Sequence, residues 1–152
     1  MPAVPKPKKR EPKPKRSLSD QTIRKALKKP NLKKECDDLW SKIIKKRAGH
    51  KSELASVKGF CLDESTGIIQ AHHIAKKPNY RLRYELDNGI CLTAWEHKYG
   101  IHGNHEERYR NYIKLVRGKD IYKRMELLRR MGGSTDLTLV KIYLKKELEK
   151  FK

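Results

Sequence analysis

All six histidines of the sequence fall between positions 50 and 105. Five of them, His72, His73, His97, His102 and His105, crowd into 34 residues. Imidazole has an unperturbed pKa of about 6.5, so it can take or give a proton near neutral pH, and in its neutral form it ligates metals. The cysteines, Cys36, Cys61 and Cys91, lie far apart and form no CxxC pair, so any metal must be held by imidazole or carboxylate. His72 and His73 follow a stretch, Gly67-Ile68-Ile69-Gln70-Ala71, that reads as a strand. Consecutive strand side chains point to opposite faces. The pair therefore cannot face one ion together unless the backbone bends, and one imidazole on a metal with the other on a water suits that geometry.

The elements that must position these residues are legible in the apolar pattern. After His-His-Ile74 comes a basic loop, then Asp87-Asn88-Gly89, then a second short strand, Gly89-Ile90-Cys91-Leu92. Asn-Gly is the strongest short hairpin signal. A short helix from Thr93 to about Gly100 follows and carries His97. Upstream, Leu32, Cys36, Leu39, Trp40, Ile43 and Ile44 recur at helical spacing, and Gly49 ends that helix. Residues 50–67 read as loop with a strand near Phe60-Cys61. The last third is helical: Tyr109, Tyr112, Ile113 and Val116 mark one stripe, and Ile121, Tyr122, Met125 and Leu128 another, with Gly118 between them. Gly132-Gly133 breaks the chain, and Ser134 is the expected cap of a last helix bearing Leu137, Val140, Leu144, Leu148 and Phe151. Tyr109, Tyr112, Tyr122 and Tyr143 are expected mostly in the core, and Glu96 on a helix face. The fold class expected is α+β, mostly helical, around a two-stranded hairpin.

Charge points to the partner. The chain of 152 residues carries 38 Lys+Arg against 18 Asp+Glu, a net +20, and such an excess fits a polyanion, nucleic acid first, because Lys and Arg neutralise phosphates and release counterions. No apolar run approaches the roughly 20 residues of a membrane span, so no membrane partner is expected. Residues 1–16 hold five prolines and seven Lys/Arg against one Glu, a composition that cannot bury a core. Residues 1–30 are expected to be a largely disordered basic arm, with a short helix that begins near Ser19-Asp20 and ends at Pro30. Residues 31–152 form the expected domain, with a motif core over 67–105 and C-terminal helices over 106–152. Few, scattered cysteines fit a reducing cytoplasm.

The series Ala71-His72-His73-Ile74, Leu82-Arg83, Asp87-Asn88-Gly89-Ile90, Glu96-His97 and His102 resembles the HNH endonucleases, which have a ββα-metal fold, and most of all their small phage-type members. The resemblance covers roughly residues 35–130 and is tight over 70–102. It implies a ββα-metal core in which His72 and His97 are metal ligands and His73 is the general base. It also implies that Asn88 braces the loop bearing the base. His102 matches the last ligand, although the gap from His97 is five residues where the common pattern has four, which keeps His105 as a rival. One divalent cation is implied, Mg²⁺ or Mn²⁺ first, with Zn²⁺ or Ni²⁺ also suited to three imidazoles. Double-stranded DNA is the implied substrate, with 5′-phosphate and 3′-hydroxyl products, and Lys76, Lys77, Arg81 and Arg83 are the expected phosphate contacts. A protein partner in phage DNA processing and a host-cytoplasmic location follow from the same resemblance. Many relatives also hold a structural zinc in two CxxC knuckles. The matching positions here are Ser52, Ala55, Thr93 and Glu96, so no structural zinc is expected, and packing around Trp40, Phe60 and Trp95 must replace it. The alternative reading is a non-catalytic DNA-binding accessory, in recombination or packaging, with a degenerate HNH site.

Overall fold

The computed structural model describes residues 31–57, 68–75, 80–132 and 136–151, with only the backbone of Tyr80 and Arg81. The expected arm over 1–30, the strand near Phe60-Cys61, the Ser134 cap and the basic residues Lys76 and Lys77 lie outside the described residues. What is described is a mostly helical α+β arrangement around one small antiparallel sheet. Strands β1 (Ile69–His73) and β2 (Gly89–Thr93) pair with His72 opposite Ile90 and His73 opposite Gly89.

All five residues of β2 are buried, because it is covered on both faces. Ile90 and Leu92 enter a cluster with Leu54, Leu82, Tyr109, Ile113, Ile121 and Met125. Cys91, pointing the other way, joins Cys36, Trp40, Ile43, Ile44, Tyr84 and Leu144. This two-sided burial explains why the strand reads as a continuous apolar run rather than an alternation. The second cluster is built by α1 (Leu32–Arg47), capped by the Asn31 side chain. The first is built by α3 (Glu106–Arg117) and α4 (Ile121–Arg130), which part at Gly118, where φ is +94°. A short helix α2 (Tyr80–Tyr84) stands where the sequence reads as loop. The last helix, α5 (Leu137–Glu149), packs along α1 through Leu137, Val140, Leu144 and Leu148, and its cap is Asp136, whose carboxylate accepts from the Thr138 N–H at 2.7 Å. Tyr143 lies outside this stripe and is exposed rather than in the core. No helix among the described residues is long and apolar enough to cross a membrane.

A polar knot ties the two halves of the core to β2. Glu53, in the 3₁₀ turn Glu53–Ser56, forms ion pairs with Arg47 at the end of α1 and Arg117 at the end of α3, and accepts from the Cys91 N–H at 3.3 Å. Both guanidinium groups also donate to the Gly89 carbonyl, at 2.7 and 3.0 Å. Burial and the adjacent Arg47 charge lower the pKa of Arg117 from its ordinary value. Removing the one carboxylate would leave two like charges together in a largely dry site, which costs about 3–5 kcal/mol. Glu53→Gln is therefore expected to lower the unfolding free energy by about that amount in urea titration, whereas Lys145→Gln, on the exposed face of α5, should leave it within about 0.5 kcal/mol.

Candidate metal centre

His72, His97 and His102 come together, with one ring nitrogen from each lying within 4.8 Å of the others. His72 projects from β1 on the face shared with Ile90 and Leu92. The other two come from the turn of helix that follows β2. That turn opens with a reciprocal cap: Thr93 Oγ1 accepts from the Glu96 N–H at 3.1 Å, and Glu96 accepts from the Thr93 N–H at 2.7 Å. Glu96 is 2% exposed and also accepts from Ser52 Oγ at 2.7 and 2.9 Å. It is thus a buried anchor and not the surface charge expected from the sequence.

From Glu96 to Ile101 the helix is of π type. The His102 N–H donates to the His97 carbonyl, five residues back, at 3.3 Å. A π turn closes over five residues rather than four, so it stacks His102 above His97, and their Nε2 atoms lie 3.2 Å apart. Two nitrogens each about 2.0–2.1 Å from an ion, at a tetrahedral angle, would be about 3.3 Å apart. The five-residue gap is thereby accommodated. His105 is exposed at the start of α3 and is not in the group.

His97 is oriented from behind. Its Nδ1–H donates to Gln70 Oε1 at 2.6 Å. An amide oxygen can only accept, so in the neutral ring the Nε2 lone pair is turned toward the cluster. Gln70 was not singled out from the sequence; its place two residues before His72, on the same strand face, was the available signal. The fit of the donor set to an ion is good: three imidazoles, one braced through its second nitrogen, are the usual protein environment of a borderline transition metal. The Cys91 thiol faces the opposite core and is pushed up to about 11, first by burial, so it stays protonated near neutral pH.

His73 lies on the other face of β1. Its ring stacks on Trp40 of α1, centroids 3.8 Å apart and planes 10° from parallel. Its Nε2 donates to the Arg83 carbonyl at 2.8 Å, which leaves the lone pair of the neutral ring on Nδ1. Asn88 is fully buried beneath this loop: Oδ1 accepts from the Ala75 N–H at 2.7 Å, and Nδ2 donates to the carbonyls of Ala75 and Leu82, at 3.3 and 2.9 Å. One carboxamide thus ties both ends of the segment between β1 and β2. Of the expected phosphate contacts, Arg83 is engaged by Asp37 through two hydrogen bonds of 2.6 Å, which raise its pKa further. The Arg81 side chain, like Lys76 and Lys77, lies outside the described residues.

No family model matches this chain, and no curated protein or solved structure matches it either.

Two outcomes test the site. Titration with Ni²⁺ or Zn²⁺ should give one bound ion, and Gln70→Ala should weaken it by about 10–100-fold through loss of the brace. Asn88→Asp should be worse tolerated than Asn88→Ala in urea unfolding. The alanine loses hydrogen bonds at about 1–3 kcal/mol, whereas the aspartate sets a buried anion against two carbonyl oxygens.

Proposed function

We propose that the chain is a metal-dependent endonuclease of HNH type that hydrolyses DNA phosphodiester bonds. The observation that carries this reading is the placement, on one two-stranded hairpin and the helix after it, of three converging ring nitrogens and a fourth imidazole held through Nε2 by a backbone carbonyl. His72, His97 and His102 would hold one divalent cation. When bound, the ion supplies positive charge to the scissile phosphate and the leaving oxygen. The resemblance implies Mg²⁺ or Mn²⁺, yet an all-imidazole donor set favours Ni²⁺ or Zn²⁺.

His73 takes the proton. Its carbonyl-bound Nε2 fixes the tautomer, so Nδ1 is the basic atom and a water there can be deprotonated as it attacks phosphorus. His72 and His73 end β1 on its two opposite faces, so a phosphodiester meets both only by lying across the end of the strand. Asn88 holds the carbonyls of Ala75 and Leu82, which keeps the loop contributing the Arg83 carbonyl in place. The net charge of +20 supplies the attraction for the DNA backbone. Contact between Ser52, Thr93 and Glu96 further supports the reading, because these are three of the four positions that match the zinc knuckles of the relatives. Here the Glu96 carboxylate joins them by hydrogen bonds to Ser52 and Thr93.

A second reading, a DNA-binding accessory without cleavage, is favoured by the stacking of His73 on Trp40, on the strand face away from the cluster.

Supercoiled plasmid incubated with Ni²⁺, Mn²⁺, Mg²⁺, Zn²⁺ or EDTA separates the two. The nuclease reading expects nicked or linear product with metal and none with EDTA. His73→Ala should lower the rate by about 10²–10⁴-fold, the usual contribution of a general base, while leaving metal affinity within a few-fold. DNA retention without cleavage under every metal would establish the accessory.

A further inference from the structure

A cleft of about 530 Å³ opens beside His72, and none of the roles above uses it. Its inner wall is apolar, formed by Ile74, Ala75, Ile101 and Met125. Glu106, Arg110, Glu126 and Arg129 also line it, and these four side chains are 38–64% exposed, so they form its outer rim. Along the rim Glu106 pairs with Arg110 within α3 at 3.7 Å, and Glu126 pairs within α4 with Arg129 at 2.8 Å and with Arg130 at 3.1 Å.

In a chain of net charge +20 this is a locally neutral spot, because its two carboxylates and two guanidinium groups are paired with one another. What it suits is the uncharged, flat, apolar-faced part of a polynucleotide. The carboxylates can accept from the exocyclic amino group of adenine, cytosine or guanine. The volume exceeds that of one base. A base stacked and paired in duplex cannot enter, and extruding it costs a few kcal/mol, least where it is already unpaired. Resting on the reading of the histidines as a phosphodiester site, we propose that this cleft takes one unpaired nucleobase next to the phosphate held at His72. The favoured substrate is then DNA with a bulge, flap or mismatch at the cut, rather than uninterrupted duplex.

The test is binding by the full chain in EDTA, followed by anisotropy, to two duplexes that differ in one 2-aminopurine, unpaired in a bulge or paired with thymine. The parent should bind the bulged DNA at least about tenfold more tightly, with a change in 2-aminopurine emission. Ala75→Phe fills the inner wall and Arg110→Trp occludes the exposed rim. Each should abolish the preference while leaving paired-duplex affinity within about threefold. Circular dichroism and urea unfolding report whether each variant folds, since Arg110 lies over the Tyr122 ring, 4.8 Å from its centroid, and Tyr122 packs on the core. Equal affinity of the parent for the two duplexes, or a preference that survives both variants, overturns the proposal. Preference without cleavage in the plasmid assay would sink the nuclease and leave the base site standing, and cleavage without preference would do the reverse. A parent that binds neither duplex overturns the base site, and the plasmid assay alone decides the nuclease.

Discussion

Two strands of five residues do not hold together in water by themselves, and the way this chain solves that problem shapes everything else. It encloses β2 on both faces, with α1 and α5 on the Cys91 side and α3 and α4 on the Ile90 and Leu92 side. β1 is left as the outer strand, half-buried along its length. That asymmetry separates labour between the strands: β2 carries the packing and β1 is released to carry polar side chains. Close approach is part of the arrangement. A side chain at Gly89 would run into Ile44 and come within 2.9 Å of Trp40, so glycine there, with ordinary backbone angles, lets α1 lie directly on the sheet.

The site inherits this rigidity. His72 sits on a strand, His97 in a helical turn anchored by buried Glu96, and His102 at the C-cap of that turn. Gln70 and the Arg83 carbonyl each fix one ring nitrogen, so two of the four histidines have a preferred tautomer before any ion or substrate arrives. Ligands held this way lose little freedom on binding, which is where precision in such sites originates.

Much of the frame was legible in the sequence because it is written in periodicity. The stripes of α1, α3, α4 and α5, the break at Gly118 and the two strands follow from apolar spacing and glycine alone. The short helix α2 was not legible: five residues of alternating Arg and apolar type carry too little pattern to separate from a basic loop. Tyr143 was misplaced because Leu139, Ile142 and Tyr143 form an exposed apolar face on α5, and a helix apolar on two sides does not declare which one is inside. In the site, the histidines were visible by type and Asn88 by its place before a glycine. Their partners were not. Trp40 reaches His73, Asp37 reaches Arg83 and Ser52 reaches Glu96 across more than 30 residues of sequence, and no local pattern encodes such meetings. Glu96 shows the cost of reading locally, since an acidic residue at a helix start looks like surface until its buried hydroxyl partner is known.

The π turn also bears on how such a centre tolerates change in length. Inserting one residue into an ordinary helical turn usually rotates everything beyond it by about 100°, which would scatter a pair of ligands. Widening that single turn absorbs the extra residue locally, and both imidazoles keep their relation in space. The number of residues between two ligands is thus a property of the helix type joining them and not of the chemistry they perform. Sites of this kind can drift in spacing while their three-dimensional arrangement stays fixed, and a motif written with rigid intervals would pass them over.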